Sequence, residues 1–192
     1  MSVTADMTYA LISPCRNEAD YMRRTLDSVI AQTVRPDLWL IVDNGSSDAT
    51  PDILAEYAAA HDWIKVAPKP DRGHRAVGPG VIEAFYFGLD QMDIKAFDQI
   101  CILDLDLDLR PKYFEILIDR MAANPRISTC SGKSYYRTPS GELKSEKCGD
   151  EMSVGMTKFY RTACFLDIGG FVREVMWDGI DCHKARQLGW IA

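Results

Sequence analysis

The chain has 192 residues with 22 basic and 28 acidic side chains, a formal net charge of −6, and 47% hydrophobic residues. That length accommodates one domain with a sizeable core, needing neither disulfides nor a structural metal. The acidic balance excludes a surface that coats nucleic acid, which requires clustered Lys and Arg, so any anionic ligand must be attracted by something other than bulk charge.

Tyr9-Ala10-Leu11-Ile12 has the pattern of a buried strand, ended by Ser13-Pro14. From Asn17, an acceptable N-cap, Met22, Leu26, Val29 and Ile30 recur at helical spacing. Leu38-Trp39-Leu40-Ile41-Val42 predicts a second strand, closed by Asp43-Asn44-Gly45-Ser46-Ser47. Thr50 then caps a helix with Pro51 in its first turn. Trp63 to Ala67 gives a weaker third strand, a loop rich in Pro, Gly and Arg runs from Pro68 to Gly80, and a third helix starts near Val81. Gln99 to Leu103 is the fourth strand, and Pro111 opens a fourth helix. Continuously apolar strands separated by helices indicate a mainly parallel sheet covered on both faces, an α/β fold.

After Asn124-Pro125 the pattern changes. Arg137 to Glu142 reads as the turn of a hairpin, Thr157 to Arg161 as a strand, and Thr162 to Ile168 as a short helix ended by Gly169-Gly170. A last helix is expected from about Asp181, stopped by Gly189, with another strand starting at Trp190-Ile191-Ala192. The six cysteines, at 15, 101, 130, 148, 164 and 182, contain no Cys-x-x-Cys pair and read as reduced apolar residues. The first residues lack a signal-peptide pattern, and no apolar run reaches the ~18 residues of a membrane span. A soluble cytoplasmic domain is expected, with a peripheral place at a membrane left open.

The fourth strand runs into Asp104-Leu105-Asp106-Leu107-Asp108-Leu109. In extended backbone the three aspartates share one face and the three leucines the other. Carboxylates so close repel one another unless protons or a cation neutralise them, and Mg²⁺ and Mn²⁺ are the natural partners of carboxylate oxygens. Ligands of open α/β sheets also gather at the carboxyl ends of strands. An EF-hand loop fits poorly, because Leu109 stands where that loop needs Gly and Pro111 intrudes. A haloacid-dehalogenase-like phosphotransferase also uses Asp-x-Asp after a strand, although usually near the N-terminus. A solvated acidic turn is the plain alternative.

Two further strand ends, Ser13-Pro14-Cys15-Arg16-Asn17-Glu18 and Val42-Asp43-Asn44-Gly45-Ser46-Ser47-Asp48, feed helices whose first N–H groups are available to a ligand. Both are also ordinary turn compositions. The segment Gly78-Pro79-Gly80-Val81-Ile82-Glu83 fails as a dinucleotide fingerprint at its third glycine.

Taken in order, these motifs resemble the family 2 glycosyltransferases with the GT-A fold. The resemblance extends through Gly155-Met156-Thr157-Lys158-Phe159-Tyr160-Arg161, Ile168-Gly169-Gly170-Phe171 and Trp177-Asp178-Gly179-Ile180-Asp181, and covers roughly residues 8 to 190. It implies one GT-A domain over 1–192, with a donor half at about 8–110 and an acceptor and catalytic half at about 111–192 that is short for the family. The implied activity is transfer of a sugar from a nucleotide-diphosphate donor, with a leaning to UDP, onto a hydroxyl acceptor, with inversion and with Mn²⁺ or Mg²⁺.

The resemblance also implies roles for individual residues. Asp43 contacts the base, Ser13 and Glu18 line the nucleoside pocket, Asp104 meets ribose or sugar hydroxyls, and Asp106 ligates the metal, with Asp104 and Asp108 as further candidate ligands. Arg75, beside Arg72 and His74, supports the diphosphate or is simply solvated. Asp181 falls at the catalytic base, with Asp178 the alternative. Ile180 replaces the family's usual Glu, and Asp181 reads equally as an N-cap. Trp177 and Trp190 are either acceptor-stacking or core residues. A nucleotide-sugar-binding module without turnover is the rival reading.

Overall fold

The computed structural model describes residues 7–70, 79–147, 149 and 151–192. Arg72, His74 and Arg75 therefore lie outside the described residues. In chain order the elements are β1 (Tyr9–Cys15), α1 (Met22–Ile30), β2 (Leu38–Asp43), α2 (Thr50–Ala60), β3 (Ile64–Pro68), α3 (Pro79–Leu89), β4 (Gln99–Leu103), α4 (Tyr113–Ala123), β5 (Thr129–Cys130), β6 (Tyr135–Arg137), β7 (Leu143–Ser145), β8 (Thr157–Arg161), α5 (Thr162–Asp167) and α6 (Trp177–Gln187). Six strands form one sheet in the order β3-β2-β1-β4-β8-β5, and β6 and β7 make a separate hairpin. The first four are parallel, while β8 runs antiparallel to β4 and β5.

Alternation along the strands divides the apolar residues between two cores. Tyr9, Leu11, Trp39, Ile41, Cys101, Leu103 and Phe159 pack with α1, α2 and α4. Ile12, Leu40, Val42, Ile100, Ile102 and Tyr160 pack with α3, α5 and α6 on the opposite face. This two-sided burial is the physical reason that the strands read as unbroken apolar runs rather than alternating ones.

Three of the helix starts that differ from expectation involve candidate site or capping residues. The first helix begins at Met22 rather than after Asn17. Asn17 adopts a left-handed φ of 57°, and Tyr21 and Met22 N–H groups both donate to the Glu18 carbonyl in an intervening turn. Thr50 lies inside α2, whose cap position is Ala49, and its hydroxyl accepts from the Glu18 N–H at 2.8 Å. The last helix starts at Trp177, so Asp181 sits one turn inside it rather than at its cap. Its other end matches expectation. Gly189 has φ 88°, and Gly189 and Trp190 N–H groups donate to the Arg186 and Ala185 carbonyls in a Schellman closure. The expected strand start at Trp190 is reduced to one parallel bridge, Ile127 with Ile191.

Helix α3 lies close on β1 and β2 because Gly88 has no side chain. A Cβ there would stand 2.8 Å from Val42 Cγ2 and 3.2 Å from Ile12 Cγ2. Both neighbours are branched side chains in the second core with little room to give. Gly88→Ala is expected to lower stability by about 1–3 kcal/mol, the usual cost of overpacking. Denaturant unfolding followed by circular dichroism would measure it, and unchanged stability would show that α3 can lift freely.

Candidate functional site

The carboxyl ends of β1, β2 and β4 are adjacent, because the register pairs Cys15 with Asp43 and Ile12 with Ile102. The loops that follow β1 and β2 are laced together by hydrogen bonds. Asn17 N–H donates to Ser46 Oγ at 2.9 Å and Ser47 N–H donates to Asn17 Oδ1 at 2.8 Å. Asp48 accepts from Ala19 N–H at 3.2 Å and Thr50 N–H at 3.0 Å. Asp43 is nearly buried, and its Oδ1 accepts from Ser46 N–H at 2.9 Å. That bond leaves the second carboxylate oxygen of Asp43 for another donor.

The acidic run after β4 keeps the alternation of the strand. Leu105 is buried, Leu107 and Leu109 pack against the first core, Asp106 and Asp108 are exposed, and Asp104 is half-buried. The extended shape is held by Thr25 of α1, whose hydroxyl donates to the Leu107 carbonyl at 2.7 Å and accepts from the Leu107 N–H at 2.8 Å. Asp104 N–H donates to the Met156 carbonyl at 2.9 Å, extending the β4–β8 pairing by one residue. Burial, and then the nearby Asp106 and Glu18 carboxylates, push the Asp104 carboxyl up to about 7. Glu18, Asp104 and Asp106 therefore form one electrostatic neighbourhood.

That neighbourhood fits a divalent cation only in part. Among the described residues no group of three or more His, Cys, Asp or Glu side chains is gathered to hold a metal ion. One or two carboxylates, with phosphate oxygens completing the shell, is nonetheless the usual way in which Mg²⁺ is held on a phosphorylated substrate. The donor set is compatible with that arrangement and not with a cage made by protein alone.

Two expected site residues are placed elsewhere. Ser13 has the parity of Tyr9 and Leu11, so it points into the first core, fully buried, where its Oγ accepts from the Trp39 indole N–H at 2.9 Å. Its hydroxyl is therefore engaged inside the first core rather than at the surface of the strand end. Asp181 faces the second core, 1% exposed. Both of its oxygens accept from Lys158 Nζ, at 2.7 and 2.6 Å, and the Tyr160 hydroxyl donates to Oδ2. Lys158 is itself fully buried and also donates to the Asp178 carbonyl at 2.5 Å. The Asp181 carboxylate is thus enclosed and paired with a buried ammonium, shut off from solvent in this structure.

Asp178 is exposed, and its carboxylate lies against Gly155, where a Cβ would stand 2.9 Å from Asp178 Oδ2. Gly155 adjoins Met156, the residue bonded to Asp104 N–H. Asp178 is therefore the acidic side chain that α6 presents at the β4 end of the sheet. Trp177 belongs to the core, its ring 4.8 Å from that of Phe171, and Trp190 donates its indole N–H to Asp167 at 3.2 Å. Neither contact points to sugar stacking. The five described cysteines are free thiols. No helix among the described residues is long and apolar enough to cross a membrane.

The family model described as "Glycosyl transferase family 2" matches residues 10–172, and the chain belongs to that family. Its architecture is the GT-A fold. A mannosyltransferase from Pyrobaculum calidifontis, in complex with GDP-Man and Mn²⁺, superposes with a TM-score of 0.72 at 18% identity, covering 98% of this chain and 55% of that one. TarS 1–349 of S. aureus in complex with UDP-GlcNAc gives 0.69 at 18%, covering 93% and 53%. The poly-beta-1,6-N-acetyl-D-glucosamine synthase of Staphylococcus epidermidis is 26% identical over 130 residues, which are 67% of this chain and 29% of the synthase. The chain thus spans less than a third of the length of that relative. Membership also sets aside the dehalogenase-like reading of Asp104 and Asp106.

Two outcomes follow from the charges. Asp181→Ala should destabilise by about 3–5 kcal/mol, because it leaves the Lys158 ammonium buried without its counter-charge. The double change Lys158→Met/Asp181→Met should recover most of that loss in denaturant unfolding, and equal instability of the two variants would refute the ion-pair account. For Asp104 the folded carboxyl titrates above its ordinary 3.8, so its stabilising contribution is present below about pH 4 and is lost as the pH rises towards 7. In chelator-treated protein, Asp104→Asn should therefore melt higher than wild type at pH 7.5, with the gap closing at pH 4.5. A gap independent of pH would exclude this origin.

Proposed function

We propose that the chain transfers a hexose or N-acetylhexosamine from a nucleotide-diphosphate donor, UDP in the first instance, to a hydroxyl acceptor with inversion at the anomeric carbon. The observation that carries the proposal is the placement of Asp43 and Asp104 at the carboxyl ends of the two strands that flank β1, with Asp178 against Gly155, next to the residue that pairs with Asp104. UDP-GlcNAc in the TarS complex and the N-acetylglucosamine polymer named for the staphylococcal relative supply the leaning in donor. The acceptor half, about 111–192, contributes Asp178, and the donor half, about 8–110, contributes the rest.

In this reading the open oxygen of Asp43 accepts a base N–H, and Glu18 lies along the nucleoside. Asp104 orients ribose or sugar hydroxyls. Asp106, with Asp104 and the exposed Asp108 as further ligands, would hold Mn²⁺ or Mg²⁺, which supplies charge neutralisation to the departing diphosphate. The Mn²⁺ in the mannosyltransferase complex supports a metal of this kind. Asp178 takes the proton of the acceptor hydroxyl as its oxygen bonds to the anomeric carbon and the nucleoside diphosphate leaves with the glycosidic electron pair. A binding module without turnover is the second reading, favoured by the burial of Asp181 at the position where the resemblance put the base.

Calorimetry with UDP-GlcNAc and GDP-mannose, with and without Mn²⁺, followed by an assay of UDP release in the presence of sugar acceptors, separates the two. Asp106→Ala should abolish the Mn²⁺-dependent part of donor binding. Asp178→Asn should leave donor affinity within about twofold and slow transfer by roughly 10²–10⁴, the range of a lost general base. Donor binding with no UDP release across the acceptors would establish the module instead.

A further inference from the structure

Two features converge on the proposed base, a buried lysine and a half-buried glycine. Lys158 has three N–H donors, directed at both oxygens of Asp181 and at the backbone carbonyl of Asp178, with Cys182 Sγ at 3.3 Å. Lysine on β8 is thus tied to the first turn of α6 at the residue that bears the exposed carboxylate. The second feature is Gly155. The three heavy atoms nearest to a Cβ placed there all belong to Asp178: Oδ2 at 2.9 Å, Cβ at 3.3 Å and Cγ at 3.5 Å. The Asp178 side chain therefore rests on bare backbone, one residue from the carbonyl that receives the Asp104 N–H.

Net stability does not explain such an arrangement. A buried ion pair is commonly matched or exceeded in stability by apolar side chains of similar volume. A Lys–Asp pair does impose direction, because the ammonium must satisfy defined acceptors, whereas a methionine would tolerate sliding of α6 along β8. We propose that Gly155 and Lys158 are positioning residues for Asp178: Lys158, neutralised by Asp181, fixes the backbone of residue 178, and Gly155 provides the surface on which its carboxylate is seated. The proposal rests on the reading of Asp178 as the base and adds how that base is aimed.

The test is a double-mutant cycle on UDP release from UDP-GlcNAc with Mn²⁺ and N-acetylglucosamine oligosaccharide as acceptor. Gly155→Ala should keep the wild-type melting temperature to within a few degrees and keep UDP-GlcNAc affinity by calorimetry. It should lower kcat by about a hundredfold, the scale of an ångström of misplacement. In the Asp178→Ala background the same change should have no further effect, because there is no carboxylate left to displace. Lys158→Met/Asp181→Met provides the second probe, expected to fold, bind donor and lose kcat in the same non-additive way.

If Asp178→Ala alone leaves kcat intact, the reading of the base fails and the positioning proposal fails with it. If Asp178→Ala is slow but Gly155→Ala is not, or if the two losses multiply, the base stands and the positioning proposal is overturned.

Discussion

A sheet covered on both faces leaves no face of its central parallel strands, β1, β2 and β4, to water, and that constraint organises the rest of this molecule. Every side chain in the middle of β1, β2 and β4 enters one core or the other, so polar chemistry can begin only where a strand ends. Ser13 shows how strict this is. It is a polar residue two positions before the last residue of β1, yet its parity carries it into the first core, where it bonds the Trp39 indole. Asp43 is the final residue of β2, and Asp104 follows the final residue of β4. The difference between a core serine and an aspartate at the end of the sheet is two residues of strand.

The same constraint accounts for the lysine inside the second core. Position 158 has the parity of Tyr160 and faces α6, so a charge there must be answered from α6. Asp181 answers it one turn into the helix. The acidic residue nearest in sequence, Asp178, is thereby freed to remain exposed while its backbone shares the same ammonium. The helix to which the family resemblance points thus carries two aspartates in opposite environments, Asp181 buried against Lys158 and Asp178 exposed one turn earlier.

Much of this architecture was legible because its signals are one-dimensional. Apolar runs mark β1, β2 and β4, with β3 weaker because Lys65 interrupts it, and the Asp–Leu alternation after Leu103 foretells which side chains are buried, as Leu105 and the exposed Asp106 show. What escaped depends on contacts distant in sequence. Nothing near Asn17 announces that its amide will serve the loop after β2, or that Thr50 will serve Glu18 instead of capping α2. Thr25 looks like any small residue on a helix, and only the folded chain brings it to Leu107, 82 residues away. Two-residue β5 is too short to leave a pattern of any kind. The start of α6 at Trp177 follows Met176, whose left-handed φ of 64° is a conformation that its sequence does not advertise.

Charge is the remaining puzzle, since a chain with a formal net charge of −6 is proposed to receive a diphosphate. At the site edge the imbalance is sharper still, because Glu18, Asp43, Asp48, Asp104 and Asp106 lie in neighbouring segments. Their charges are not equivalent, however. Asp43 and Asp48 already accept backbone N–H groups and so spend their charge on holding loops. Asp104 is held up near 7 and gives up part of its charge to a proton. The anionic character available to a ligand is concentrated on the exposed Asp106 and Asp108, at the tip of an extended segment rather than around a cavity. Such a tip repels a bare diphosphate and attracts a diphosphate that already carries a divalent cation. Under the proposed function, the acidic edge would therefore favour the metal complex of the donor over the free donor, and the negative charge of the chain would be part of recognition.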